Sequence, residues 1–178
     1  MIIQKKIFSD VYLIKNKFNN DKRGRFIKFN HEIMIKNEKI KFNQFCYSLN
    51  KKKFTFRGIH FQKYPYQEKK LVTCVEGKIL DIIVDLDKKS KTYLNYKFVK
   101  LNQNKMYSLY IGKNYAHGFL TLTNKTTILY QINGRYIKSK QSGLLWNDPA
   151  LKIKLPTKPK LISLRDKSFN KIKPWKRY

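Results

Sequence analysis

Lys70-Leu71-Val72-Thr73-Cys74-Val75-Glu76-Gly77-Lys78-Ile79-Leu80-Asp81-Ile82-Ile83-Val84-Asp85-Leu86 reads as two β-strands joined at Glu76-Gly77-Lys78. Side chains branched at Cβ fit the pleated surface of a sheet, and a glycine between two such runs marks a turn. Similar runs lie to either side. Tyr93 to Leu101 alternates apolar and polar residues with the two-residue period of a half-buried strand. Met106 to Ile111 and Phe119 to Thr123 bracket the turn Gly112-Lys113-Asn114, and Thr126 to Ile132 is another β-branched run. Short strands at this spacing predict an all-β chain, an antiparallel sandwich or barrel. Helical periodicity is scarce, and its best candidate is a short helix near His31 to Asn37. After Trp146 the chain is rich in Pro and Lys, which predicts short turns wrapped over the surface.

A length of 178 residues fits one domain, residues 1–178, with a substantial core. Hydrophobic content of 42% and aromatic content of 15% exclude a disordered chain. No apolar run approaches the roughly 18 residues of a membrane span. Met1-Ile2-Ile3-Gln4-Lys5-Lys6 lacks the apolar segment of a secretory signal, so the expected location is cytoplasmic and no membrane partner is expected. The two cysteines, Cys46 and Cys74, sit in apolar, strand-like surroundings and read as buried free thiols. The formal charge of +29 would by itself point to a polyanion such as nucleic acid. The lysines are spread along the whole chain, however, and Lys, Asn, Ile, Tyr and Phe are over-used together, as in a chain shaped by A/T-rich codons. We therefore expect no nucleic-acid partner; the charge would still steer an anionic substrate.

Two of the three histidines stand in distinctive strings: Arg57-Gly58-Ile59-His60-Phe61-Gln62 and Ala116-His117-Gly118-Phe119. Leu129-Tyr130-Gln131 follows, with Tyr130 13 residues after His117, and then Trp146-Asn147-Asp148-Pro149 and Ser163-Leu164-Arg165-Asp166. On a strand, Ile59 and Phe61 share one face and His60 takes the other. An imidazole titrates near neutral pH and suits proton transfer. A lone histidine reads first as a core residue, one tyrosine of 12 as packing, and one lysine of many as a solvated charge. It is the order and spacing of the strings that lift these residues. From about Asp21 to Asp166 that order resembles the dTDP-4-dehydrorhamnose 3,5-epimerase family.

The resemblance implies a cupin-type jelly-roll β-sandwich with short peripheral helices, assembled as a homodimer. It implies His60 as the base that takes a proton from carbon beside a C4 ketone, Asp166 as its orienting partner, and Tyr130 as the acid on the opposite face of the sugar. Lys70 would face the C4 oxygen, where enolate charge develops. Arg23, in Asp21-Lys22-Arg23-Gly24, matches a basic position of the family, as do Arg57 and Arg165. Arginine grips a diphosphate with two parallel bonds, which lysine cannot do. Gln44, His117 and Tyr136 match positions that line the substrate pocket. The chain departs from the family's usual pattern at Lys28 and Gln141, where Glu is common, at Cys46, where Asn is common, and in the turn at Gly112. Lys28 and Cys46 bear on the nucleotide end and leave the proton-transfer set intact.

The implied activity is an isomerase that inverts C3 and C5 of a dTDP-4-keto-6-deoxyhexose, a nucleotide-diphosphate sugar of deoxysugar biosynthesis. The ketone acidifies both neighbouring C–H bonds, so no cofactor is expected. No metal is expected either, because His60 has no second His two residues away and three ligands at metal spacing are missing. The rival readings are a single-carbon epimerase of another nucleotide-linked 4-keto sugar, a non-catalytic sugar-binding cupin and, third, a nucleic-acid binder.

Overall fold

A computed structural model describes residues 2–172. The first strands in chain order are β1 (Ile2–Phe8), β2 (Val11–Lys15), β3 (Phe18–Asp21), β4 (Gly24–Ile27), β5 (Glu32–Ile35), β6 (Glu38–Lys41) and β7 (Gln44–Asn50). They are followed by β8 (Phe56–Gln62), β9 (Lys69–Glu76), β10 (Lys78–Asp85), β11 (Tyr96–Asn102), β12 (Tyr107–Ile111), β13 (Tyr115–Thr121), β14 (Thr126–Asn133) and β15 (Gln141–Gly143). Among the described residues a 3-10 turn spans Lys138–Lys140 and one short α-helix, α1, spans Leu164–Lys167. A six-stranded sheet runs β1-β2-β12-β9-β14-β7 and a five-stranded sheet runs β11-β10-β13-β8-β15. All their pairings are antiparallel. The two facing sheets form the jelly-roll sandwich expected.

β9 and β10 are both strands, but they do not pair with each other. β9 lies between β12 and β14, whereas β10 lies between β11 and β13, so the chain crosses from one sheet to the other at Gly77. This explains why β10 is apolar almost throughout. Ile79 and Ile83 face the interior between the sheets with Val72, Cys74 and Leu109. Leu80, Ile82 and Val84 face outward, under Leu144, Leu151 and the partly buried Trp146 of the C-terminal wrap. Both faces are dry, and each fully buried isoleucine contributes about 1.5–3 kcal/mol.

The helix expected near His31 to Asn37 is instead the hairpin β5–β6. Ile33, Ile35 and Ile40 cover the outer face of the six-stranded sheet against Tyr12, Ile14 and Tyr110, while Met34 points to solvent. The two-residue connection has φ of 46° at Lys36 and 64° at Asn37, the backbone of a tight hairpin turn. The two-residue alternation Ile33/Ile35 outweighs the weak helical pattern. Strand limits also shift. β13 begins at Tyr115, ahead of the expected Phe119, and β11 begins at Tyr96 because Leu94 takes a positive φ of 61°. Cys74 is buried as expected, and burial pushes its thiol up to about 12. Cys46 is exposed, contrary to expectation, because β7 ends its sheet and the inward face of Cys46 opens onto a cleft.

β8 is irregular against β13, with His117 opposite His60 but Phe119 opposite Arg57. The irregularity centres on Gly58 at φ +135°, where a Cβ would stand 2.5 Å from Gly118 Cα. Both the backbone angle and the contact demand glycine. Gly58→Ala should therefore destabilise the protein by about 3 kcal/mol or more in urea denaturation. Gly24→Ala is the control: φ is +130° there, but nothing lies within 4 Å of the added methyl, and about 1 kcal/mol is expected. Equal losses at the two sites would refute the close-approach argument.

Candidate active site

A cleft of ≈ 380 Å³ opens between the two sheets. On its β8 wall stand Arg57 and His60. They are three residues apart, so a regular strand would point them to opposite faces. The irregularity at Gly58 brings both into the cleft, while Ile59 and Phe61 face the outer apolar layer. Arg57 is steadied by its Nε–H, which donates to Asn50 Oδ1 at 2.8 Å.

His60 Nε2 lies 2.7 Å from Asp166 Oδ1. Asp166 reaches it from α1, where Ser163 caps the helix by accepting from the Asp166 N–H at 3.1 Å. The other carboxylate oxygen accepts from the Gly58 N–H at 3.0 Å. Burial opposes the Asp166 charge, but the His60 and Gly58 hydrogen bonds outweigh it and hold the carboxyl below its ordinary value of 3.8. An ionised carboxylate bonded to one ring nitrogen fixes the tautomer and leaves the other nitrogen to accept a proton.

The opposite wall is built by the six-stranded sheet. Tyr130 on β14 stands in register with Cys46 on β7, and both line the cleft. The Tyr130 hydroxyl has no hydrogen-bond partner among the described residues. Burial first, and the nearby Asp81 charge second, raise the phenol well above its ordinary range. Near neutral pH it is therefore a proton donor, not a base. His117 meets the Tyr130 ring edge-on, with centroids 6.2 Å apart, and bonds Asp81 Oδ2 at 2.9 Å. Lys70 Nζ pairs with Glu68 Oε2 at 3.1 Å, and the other Glu68 oxygen accepts from Gln62 at 2.7 Å. At the rim, Gln44 donates to the Gly134 carbonyl, and the Tyr136 hydroxyl donates to Gln141.

Most of the expected residues thus converge. His60, Tyr130, Lys70, Arg57 and His117 share the cleft with Gln44, Cys46, Tyr136 and Gln141. Asp166 stands behind His60, and Arg165 lines an adjoining cavity of ≈ 390 Å³ that shares Arg57 and His60. Arg23 and Lys28 do not join them. The Arg23 side chain is 90% exposed on the β3–β4 hairpin and pairs with Asp21 at 2.6 Å. Lys28, just past that hairpin, is exposed as well. Sequence reasoning missed Glu68 and Asp81. Glu68 is two residues before Lys70 and so shares its face; Asp81 is a lone carboxylate in an apolar run.

The sequence profile of the family described as dTDP-4-dehydrorhamnose 3,5-epimerase matches residues 5–174. The chain is 34% identical over 160 residues to a dTDP-4-dehydrorhamnose 3,5-epimerase of Shigella flexneri, covering 88% of each chain. The Bacillus anthracis dTDP-4-dehydrorhamnose 3,5-epimerase, crystallised with TDP and pyrophosphate bound, superposes with a TM-score of 0.87 at 32% identity, covering 96% of this chain and 98% of that one. A Legionella pneumophila relative in complex with dTDP-4-keto-L-rhamnose gives 0.84 at 25% identity, covering 94% and 90%.

The Asp166 geometry has a consequence in acid. Its folded carboxyl titrates below the unfolded value of about 3.9, so its stabilisation is fully present above that value and disappears as pH falls through the folded one. Urea titrations from about pH 5 to pH 2 should show wild type losing more stability than Asp166→Asn. Parallel curves would mean that the pair does not hold Asp166 ionised.

Proposed function

The chain belongs to the dTDP-4-dehydrorhamnose 3,5-epimerase family, and from that premise we propose that its cleft inverts C3 and C5 of a dTDP-4-keto-6-deoxyhexose by proton removal and return. The observation that carries this reading is the placement of His60 and Tyr130 on facing sheets, with Lys70 in the same cleft. Inversion at carbon requires one group on each face of the sugar ring, or one group and a ring flip, and the cleft offers a group on each wall. His60 takes the proton from C3 or C5. The C–H electron pair forms a C3=C4 or C4=C5 double bond as the carbonyl π pair shifts onto the C4 oxygen, and the Lys70 ammonium stabilises that enolate charge. Tyr130 then gives its proton to the same carbon from the other side, and solvent restores both groups. Glu68 lowers the freedom of the Lys70 side chain and keeps it aimed.

Arg57 and Arg165 suit the diphosphate, because two guanidinium groups stand at adjoining cavities beside the base. Gln44, Cys46, Tyr136 and Gln141 form the rim and would meet the nucleotide end. Arg23 and Lys28 could reach a substrate only in a second copy's cleft, and a homodimer is our reading. Its support is apolar surface: Phe45, Tyr47 and Leu49 form an exposed row on β7, and Phe26 beside Arg23 is 71% exposed. No helix among the described residues is long and apolar enough to cross a membrane. We place the enzyme in the cytoplasm, where both free thiols and a nucleotide-sugar substrate belong.

Incubation with dTDP-4-keto-6-deoxyglucose in deuterated water tests the reading. Deuterium should enter at C3 and C5. Label at C3 alone would favour the single-carbon epimerase, and label at neither would favour a binding protein. His60→Asn should abolish exchange while nucleotide binding persists. Tyr130→Phe should alter stability by no more than about 1 kcal/mol, since its hydroxyl bonds nothing among the described residues. It should permit wash-in from the His60 face while net inversion collapses. Inversion at the wild-type rate would assign the acid to another group. Light scattering should return twice the 21.5 kDa chain mass; a monomer would remove Arg23 and Lys28 from the site.

A further inference from the structure

Phe169 stands against His60 with ring centroids 5.9 Å apart and planes at 76°, an edge-on contact. It follows Asp166 by three residues, so one short segment delivers both the carboxylate and the aromatic ring to the same imidazole. The space it fills is defined by β15. Gly143 is the register partner of His60 on the neighbouring strand. A Cβ on Gly143 would stand 2.2 Å from Phe169 Cε2 and 2.4 Å from Cζ. The Phe169 ring therefore lies in a notch that exists only because residue 143 has no side chain. His60 keeps 29% of its side chain exposed, whereas Asp166 keeps 5%.

We infer that Phe169 is a positioning residue for His60, seated in the Gly143 notch, and this rests on the reading of His60 as the carbon base. A hydrogen bond to Asp166 fixes one point of the imidazole but lets the ring pivot about it. The Phe169 edge blocks that pivot, and the remaining open side is the cleft. A base that must meet a C–H bond within a narrow cone loses rate steeply when it is misplaced; a shift of about 1 Å can cost roughly 100-fold. Phe169 touches no reacting atom, so its effect passes through His60 alone.

The test is a double-mutant cycle on the deuterium wash-in rate. Phe169→Ala should lower kcat by about 10- to 100-fold with KM changed little, and should broaden the downfield imidazole N–H proton signal of His60. Phe169→Leu, which refills the notch, should restore most of the rate. Gly143→Ala should reproduce the loss while Phe169 is present, because its methyl displaces the ring. In the Phe169→Ala background the same methyl meets empty space and should change the rate by less than about twofold, the signature of coupled neighbours. Losses that multiply independently would overturn the proposal. If Gly143→Ala does not fold, the Phe169 pair decides: a Phe169→Ala enzyme with wild-type kcat and an unchanged His60 signal overturns it. An active His60→Asn enzyme would instead overturn the assignment of the base, and the two failures are distinct.

Discussion

The close approach of Gly58 to Gly118 sets the terms for the whole site. Two backbones pass where even one Cβ would stand 2.5 Å from a neighbouring Cα. That contact lets β8 slip against β13, and three consequences follow from the slip. Arg57 and His60 come to the same face in spite of their odd spacing. The Gly58 N–H turns toward Asp166 and holds one carboxylate oxygen, so the other is left to His60. Ile59 and Phe61 still anchor the strand in the outer apolar layer. Backbone strain at one residue is thus held by packing on either side, as strained sites in functional clefts require.

Two carboxylate–imidazole pairs serve the cleft, and burial separates their roles. In the His117–Asp81 pair the side chains are 6% and 0% exposed. Burial pushes the Asp81 carboxyl up against the opposing pull of His117, and the Tyr130 ring meets His117 edge-on. The pair contributes ring packing beneath Tyr130. The His60–Asp166 pair has the same chemistry but keeps its imidazole open to the cleft. The His60 side chain is 29% exposed, against 6% for His117. The extreme positive charge of the chain plays no part in this division; it acts at long range on an anionic substrate.

The strands were legible because their periodicity is local. Ile79 to Val84 and Thr126 to Ile132 state their burial in their own residues, and both became strands. The pairing of those strands was not legible: nothing in Glu76-Gly77-Lys78 distinguishes a hairpin from a crossing between sheets. The segment His31 to Asn37 misled because its turn carries no glycine; Lys36 and Asn37 adopt the left-handed backbone themselves. Cys46 misled because apolar neighbours imply burial only for an interior strand, and Phe45 and Tyr47 belong to an edge. The family strings picked out His60, Lys70, Tyr130 and Asp166, which the fold brings together at one cleft. Arg23 matched its string equally well, and Lys28 took a position where the family usually has Glu, yet one copy of the chain leaves both in solvent. A string gives a residue's identity, not the molecule whose cleft it reaches. Phe169 could not be found this way, since its role depends on an absent side chain 26 positions earlier, at Gly143.

The C-terminal wrap has a consequence for the order of events during synthesis. The apolar interior between the sheets is assembled from residues between Ile7 and Tyr130, all of which are synthesised before α1. Asp166 and Phe169 come afterwards. A growing chain therefore gains Lys70 and Tyr130 before Asp166 and Phe169. On the roles proposed above, a chain interrupted short of α1 would carry His60 without the carboxylate that holds it.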